Sequence, residues 1–232
     1  RTVETVVPSE SQSASVVTKE TTVVVKEDDL IAESINKGFT RVARVYEGTA
    51  TSTPIIALGA VIGGGTLITD LSRVSGTHTV AVGDSFYKYV VTKRIPELGI
   101  AFMSATGTAP TVDAFKGQNL DSVKLGHTMI GLYGARSNRV AMSVVSAFSD
   151  AEVLTIGESD ITVHFVETTI SDSVTAGTPL ISIFGDLVGI STNVSRTDGA
   201  GSFISFGDIT NVLAAEAAAT DATAEEGEDS AE

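Results

Sequence analysis

Apolar positions in the middle of the chain come in short runs rich in Val, Ile, Thr and Phe, broken by Gly, Asp and Asn at roughly ten-residue intervals. Alternation with a period of two marks half-buried strands, so the pattern predicts an all-β protein. FTRVARVYEG (39–48) alternates Phe39, Arg41, Ala43 and Val45 with Thr40, Val42, Arg44 and Tyr46. IIALGAVIGGGTLITD reads as a hairpin about Gly63–Gly65. TVAVGD, FYKYVVTKR and LGIAFMSA continue the series. After the polar connection TGTAPTVDAFKGQNLDS a second series follows: VKLGHTMIGLYG, RVAMSVVSAFSD, AEVLTIGE, DITVHFVETT, PLISIFGD, LVGISTNV and GSFISFGD. Two series of similar size imply two antiparallel barrels in tandem.

The ends of the chain break this pattern. LIAESINK (30–37) permits a short helix, with Asp28 or Asp29 as N-cap and Gly38 as its stop. Residues 1–29 are a Ser/Thr/Val-rich stretch that reads either as a linker or as an arm. In TTVVVK, the residues Thr21, Val23, Val24 and Val25 have the propensity of a strand that adds to a sheet edge, the candidate means of self-association. ITNVLAAEAAATDATAEEGEDSAE starts as a short helix and passes into an Ala/acid tail. The domain reading is therefore an arm (1–29), a first barrel (30–110), a second barrel (111–213) and a tail (214–232).

Charge and composition narrow the function classes. The formal net charge is -14, which disfavours nucleic acid, and residues 214–232 hold seven acidic and no basic side chains, half of that charge. With no cysteine, disulfides and thiolate metal sites are excluded. His78, His127 and His164 offer no His-x-His or His-x-x-His spacing, so neither a metal nor a cofactor is expected. The triple glycine lacks the Lys-Ser/Thr of a phosphate loop. No apolar run approaches the roughly 20 residues that cross a bilayer, and the chain starts at Arg1. The expectation is a processed form or a piece of a longer precursor, with an export signal or anchor lost from its front. Glu27-Asp28-Asp29 and Glu225-Glu226 lie outside both barrels and read as solvated faces. Asn193-Val194-Ser195 is a formal glycosylation sequon.

The chemistry-bearing stretch is FVETTISDSVTAGTPL (165–180), followed by ISIFGDLVGIST. It resembles the Gln-Thr-Asp-Ala-Ala-Ile-Asn-Pro-Gly-Asn-Ser-Gly-Gly-Pro-Leu stretch of the HtrA/Deg protease domain, without a gap. GAVIGGGTLITDLSRV (59–74) resembles the segment that delivers that family's catalytic histidine, LGIAFM (98–103) the segment that carries its aspartate, and DLVGIST and GAGSFISF its last strands. The resemblance runs from about Leu30 to Leu213 and implies a trypsin-like double β-barrel. It places Ser72 at the histidine position, Gly99 at the aspartate position, Ala176 at the nucleophile and Val174 at the oxyanion-side glycine. An alanine methyl cannot attack a carbonyl, and β-branched Val174 resists the glycine conformation.

Ser173, Thr175 and Thr178 flank the altered position without an identifiable base; with Gly177 they line what remains of the substrate cleft. The expected function is a non-catalytic protease-like protein, extracytoplasmic, at the cell surface or secreted. It would act as a structural or protein-binding subunit whose partner is a second copy or another surface protein. The alternatives are a regulatory partner of an active HtrA-like protease, and an active serine endopeptidase using other groups.

Overall fold

The computed structural model describes residues 27–156, 159–171 and 173–228, with side chains described up to residue 219. The proposed arm residues Thr21, Val23, Val24 and Val25 lie outside the described residues.

Helix α1 (Glu27–Arg41) opens with Glu27, Asp28 and Asp29, carboxylates that complement the positive end of the helix dipole. It does not stop at Gly38, as the sequence predicts. A Cβ at Gly38 would lie 2.5 Å from Leu132 Cδ1, so this glycine lets the helix press against a sheet rather than ending it. The first strand is correspondingly shorter than the 39–48 run and spans β1 (Val42–Tyr46).

The strands β2 (Ile55–Ile62), β3 (Thr66–Asp70), β4 (Thr77–Val82), β5 (Ser85–Ile95) and β6 (Ile100–Ala105) complete the first barrel, closed in the order β1-β2-β3-β6-β5-β4. Gly64 and Gly65 turn the β2–β3 hairpin with φ of 70° and 73°. The second barrel contains β7 (Thr128–Tyr133), β8 (Arg139–Ile156), β9 (Ser159–Thr168), β10 (Pro179–Ser182), β11 (Leu187–Ile190) and β12 (Ser202–Ser205), closed in the order β10-β11-β12-β9-β8-β7. The two runs RVAMSVVSAFSD and AEVLTIGE, separate in the sequence reading, form the single strand β8. Asp150 interrupts its register with β9 without ending it.

Alternation sorts the apolar residues into three layers. Ala43, Val45, Val61, Leu67, Val80 and Met103 fill the first barrel. Tyr89 is also inside it, its hydroxyl donating to Gly65 O at 2.8 Å; burial pushes the phenol up to about 12. Met129, Val145, Val166, Leu180 and Phe203 fill the second barrel. The opposite faces of the same strands form a third layer between the barrels, including Leu58, Ile68, Ile100, Ile130, Leu132 and Ile204. Ile31, Ile35 and Phe39 of α1 pack on this layer.

Helix α3 (Phe206–Glu228) contributes Phe206, Ile209 and Val212 to it and forms an ion pair from Glu216 to Lys93 of β5. This helix is longer than the short segment expected, because Ala and Glu carry it through the stretch read as a tail. Helices are few and the strands dominate, as the sequence pattern implies.

Candidate functional site

The loops bearing residues 72, 99 and 176 converge where the barrels meet. Strand β3 ends at Asp70, and a single tight turn, Leu71–Arg73, holds the exposed Ser72. The backbone N–H of Leu71 donates to Gly99 O at 2.8 Å, joining this turn to the entrance of β6. Gly99 adopts φ 65° and ψ 31° as the residue after the turn Pro96–Leu98. A Cβ there would run into Asn193 Oδ1 and approach Val194 Cγ2 at 3.1 Å. The left-handed backbone selects glycine here, while Asn193 Oδ1 is the tip of an exposed side chain that can swing aside.

The corner at 174–178 is locked from both sides. Leu58 N of β2 donates to Ala176 O at 2.7 Å, and Gly177 N donates to Ser191 O at 2.8 Å. Ala176 is 8% exposed, and its methyl packs with the core of the first barrel. Val174, which the resemblance sets at the oxyanion-side glycine, is buried in the core of the second and acts as an apolar anchor. Gly177 has φ 75°, and a Cβ would lie 2.8 Å from Thr69 Oγ1 and collide with Leu58 O. Thr178 is fully buried, its hydroxyl donating to Thr175 O at 2.6 Å. Gly177 and Thr178 thus shape the corner from inside; only Ser173 and Thr175 of the expected cleft residues reach its surface.

An ion pair crosses the same junction. Asp70, with no exposed surface, accepts from Arg196 Nη2 at 2.6 Å through Oδ2 and from Ser72 N at 2.9 Å through Oδ1. Arg196 also donates from Nη1 to Ser191 Oγ at 3.3 Å. It belongs to the short helix α2 (Asn193–Asp198), which a reciprocal Thr192–Ser195 capping box starts. Thr192 Oγ1 in turn donates to Leu98 O at 2.8 Å. A charge-assisted network therefore stands beside Ser72 and Gly99. The sequon lies here too: Asn193 is exposed beside Gly99, while Ser195 is buried in the capping box.

Beside Ser173 and Thr175 opens a cavity of about 350 Å³, whose far wall is Tyr133, Arg136 and Arg139. Arg44 of β1 braces the wall, donating to Ala135 O at 3.1 Å and to Asn138 Oδ1 at 2.5 Å. A second cavity, about 300 Å³, shares Ala135 and Arg136 and is lined otherwise by Tyr46 and residues 52–55. Neither is lined by an acidic residue. The sequence reading missed this arginine group, although GARSNR in so acidic a chain was a usable signal.

The histidines do not join the site. His78 is buried in β4 and bonded through Nδ1 to Tyr46 O at 2.9 Å. His127 accepts from Lys124 N at 3.2 Å. His164 is held by Asp208 through its ring, at 2.9 Å, and its backbone N–H, at 3.0 Å, with Asp150 3.6 Å from Nε2. No hydroxyl is among the hydrogen-bond partners found for His164 among the described residues, so this His–Asp pair has no nucleophile to activate.

No protein-family model and no curated protein matches the chain. Solved structures do. The MamO protease domain from Magnetospirillum magneticum is 24% identical and matches over 76% of this chain and 96% of its own, with a TM-score of 0.59. Deg5 is 15% identical over 81% of this chain and 94% of its own, with a TM-score of 0.62. The HtrA-type protease AlgW, solved with a tripeptide, is 19% identical over 75% of this chain and 58% of its own, with a TM-score of 0.56. At these identities the likeness concerns architecture, and the chain has the trypsin-like double-barrel fold of HtrA/Deg-type protease domains.

Proposed function

We propose that this chain is a catalytically silent protease fold that works as a protein-binding subunit, holding an acidic polypeptide segment in the cleft between residues 134–139 and 173–175. The observation that carries the non-catalytic reading is Gly99: its left-handed backbone favours glycine, and it brings no carboxylate to the place where the loops of Ser72 and Ala176 converge. Ser72 and Ala176 agree with it: neither an imidazole nor a nucleophile stands at the other two positions. AlgW, of which 58% is matched here, was solved with a tripeptide, a polypeptide ligand for a protein containing this fold.

Acid preference follows from the cleft wall. Arg136 and Arg139 are exposed, and a guanidinium grips a carboxylate through two parallel N–H donors. Glu-rich and Lys-rich peptides of equal length, compared by fluorescence anisotropy, test the ligand class. The Glu-rich peptide is expected to bind, and R136A/R139A to weaken it by about tenfold or more. Equal binding of both peptides would reject the acid preference, and binding of neither would reject the cleft.

Catalysis is tested separately. A serine-reactive phosphonate is expected to leave the protein unlabelled, whereas stoichiometric labelling of one residue would overturn the silent reading. The S72H/A176S variant is also expected to show no peptide cleavage, since nothing orients the introduced imidazole. Turnover by that variant above its single-substitution controls would show that position 99 does not matter.

A further inference from the structure

The cleft wall holds more hydrogen-bond donors than a single carboxylate can accept. Arg136 and Arg139, both exposed, line the cavity of about 350 Å³ together with the hydroxyl-bearing side chains of Tyr133, Ser137, Ser173 and Thr175. Among the described residues, no hydrogen bond or ion pair engages any of these six side chains. No acidic residue lines the cavity either, so two like charges face one space without a counter-ion. In a chain of net charge -14, such a cluster is a strong local exception.

Both walls are held in place by the fold itself. Arg139 opens β8 and pairs with Tyr133 at the end of β7, and Arg44 braces the turn between them through Ala135 O and Asn138 Oδ1. On the other side, burial of Val174 turns its neighbours Ser173 and Thr175 toward the cavity. Thr178 holds Thr175 from behind, donating to its carbonyl from the backbone N–H at 3.1 Å and from the hydroxyl at 2.6 Å. Donors placed in advance bind an anion at a reduced ordering cost.

Building on the cleft reading above, we propose that this cavity takes the phosphoryl group of a phosphoserine or phosphothreonine in the bound polypeptide. Charge distinguishes a phosphoryl group from a carboxylate. Arg136 and Arg139 bring two positive charges; a carboxylate returns one, whereas a phosphorylated side chain carries about -1.5 to -2 at pH 7. Acceptor count points the same way. A carboxylate offers about four lone-pair sites, which two bidentate guanidinium groups already fill. The hydroxyls of Ser173 and Thr175 then have no acceptor, and the third phosphoryl oxygen supplies one. Recognition of a phosphorylated segment by clustered arginines is a general mode of peptide binding.

Peptides of one sequence, carrying phosphoserine-serine, Glu-Glu or Ser-Ser at the centre, are compared by fluorescence anisotropy on the full-length chain at about 0.15 M salt. The phosphopeptide is expected to bind about tenfold more tightly than the Glu-Glu peptide of similar charge, and the Ser-Ser peptide least tightly. S173A/T175A is expected to weaken the phosphopeptide about fivefold and to leave the Glu-Glu peptide unchanged. Inorganic phosphate is expected to displace the phosphopeptide only at concentrations about a hundredfold above the peptide's own Kd, since it lacks the contacts of the polypeptide. Equal affinity for the phosphopeptide and the Glu-Glu peptide would overturn this inference and leave the acid preference standing, whereas binding of neither would overturn both. An equal loss of both peptides in S173A/T175A would overturn the contact to the third oxygen. Displacement by phosphate at the peptide's own Kd would overturn the proposal in favour of a site for the free ion.

Discussion

Gly177→Ala is expected to destabilise the domain by more than about 3 kcal/mol, combining left-handed backbone strain with a steric collision that the rigid sheet cannot relieve. The added methyl meets the carbonyl of Leu58, a backbone group of β2 paired with Arg44 of β1, and the hydroxyl of Thr69, itself bonded to Leu58 O at 2.5 Å. Neither neighbour is a flexible side-chain tip. Gly83 is the matched control, since it has φ 58° but nothing within 4 Å of the place an added methyl would take. Gly83→Ala is expected to cost only the conformational term, about 1–2 kcal/mol. Urea denaturation of the two variants separates the effects, and equal midpoints would show that the corner at 174–178 yields more readily than its contacts imply.

The second large effect concerns Arg196. Arg196→Met leaves the Asp70 carboxylate buried without its cation, and breaking such a pair costs about 3–5 kcal/mol. Adding Asp70→Leu removes the orphaned charge, and the double variant is expected to recover most of that loss. The same denaturation series, read as a double-mutant cycle, gives the coupling directly. Single and double variants of equal stability would mean that solvent already compensates Asp70. The partial exposure of Arg196, 20% for its side chain, sets a limit: the cost falls at the lower end of the range where water follows the guanidinium inward.

What the sequence made legible was what repeats locally. Two-residue alternation located most of the strands, and the order of GAVIGGGTLITD, LGIAFM and VTAGTPL placed Ser72, Gly99 and Ala176 on loops that do converge. What it hid depends on partners far along the chain. Gly38 reads as a helix stop by composition, yet its role is set by Leu132 and Ile181. Asp150 reads as a break between strands, but pairing with β9 carries β8 past it. The Asp70–Arg196 pair joins residues 126 positions apart, beyond any local pattern. Gly99 is the instructive case: the resemblance sets it at the aspartate position, and only the structure shows its left-handed backbone and the Asn193 side chain beside it.

The path of α1 bears on how the chain reaches its native state. The helix leads directly into β1 of the first barrel but docks on β7 and β10 of the second, and its Ser34–Ile183 hydrogen bond spans 149 residues. On a ribosome, the helix must therefore wait until the region around Ile183 has been made and has cleared the exit tunnel. Until then its apolar face, Ile31, Ile35 and Phe39, has no surface to bury. Closing so long a loop is slow compared with forming hairpins such as β2–β3, so docking of α1 is a late step that follows assembly of both barrels. The nascent chain thus carries an uncovered amphipathic helix from the emergence of α1 until the Ile183 region follows it.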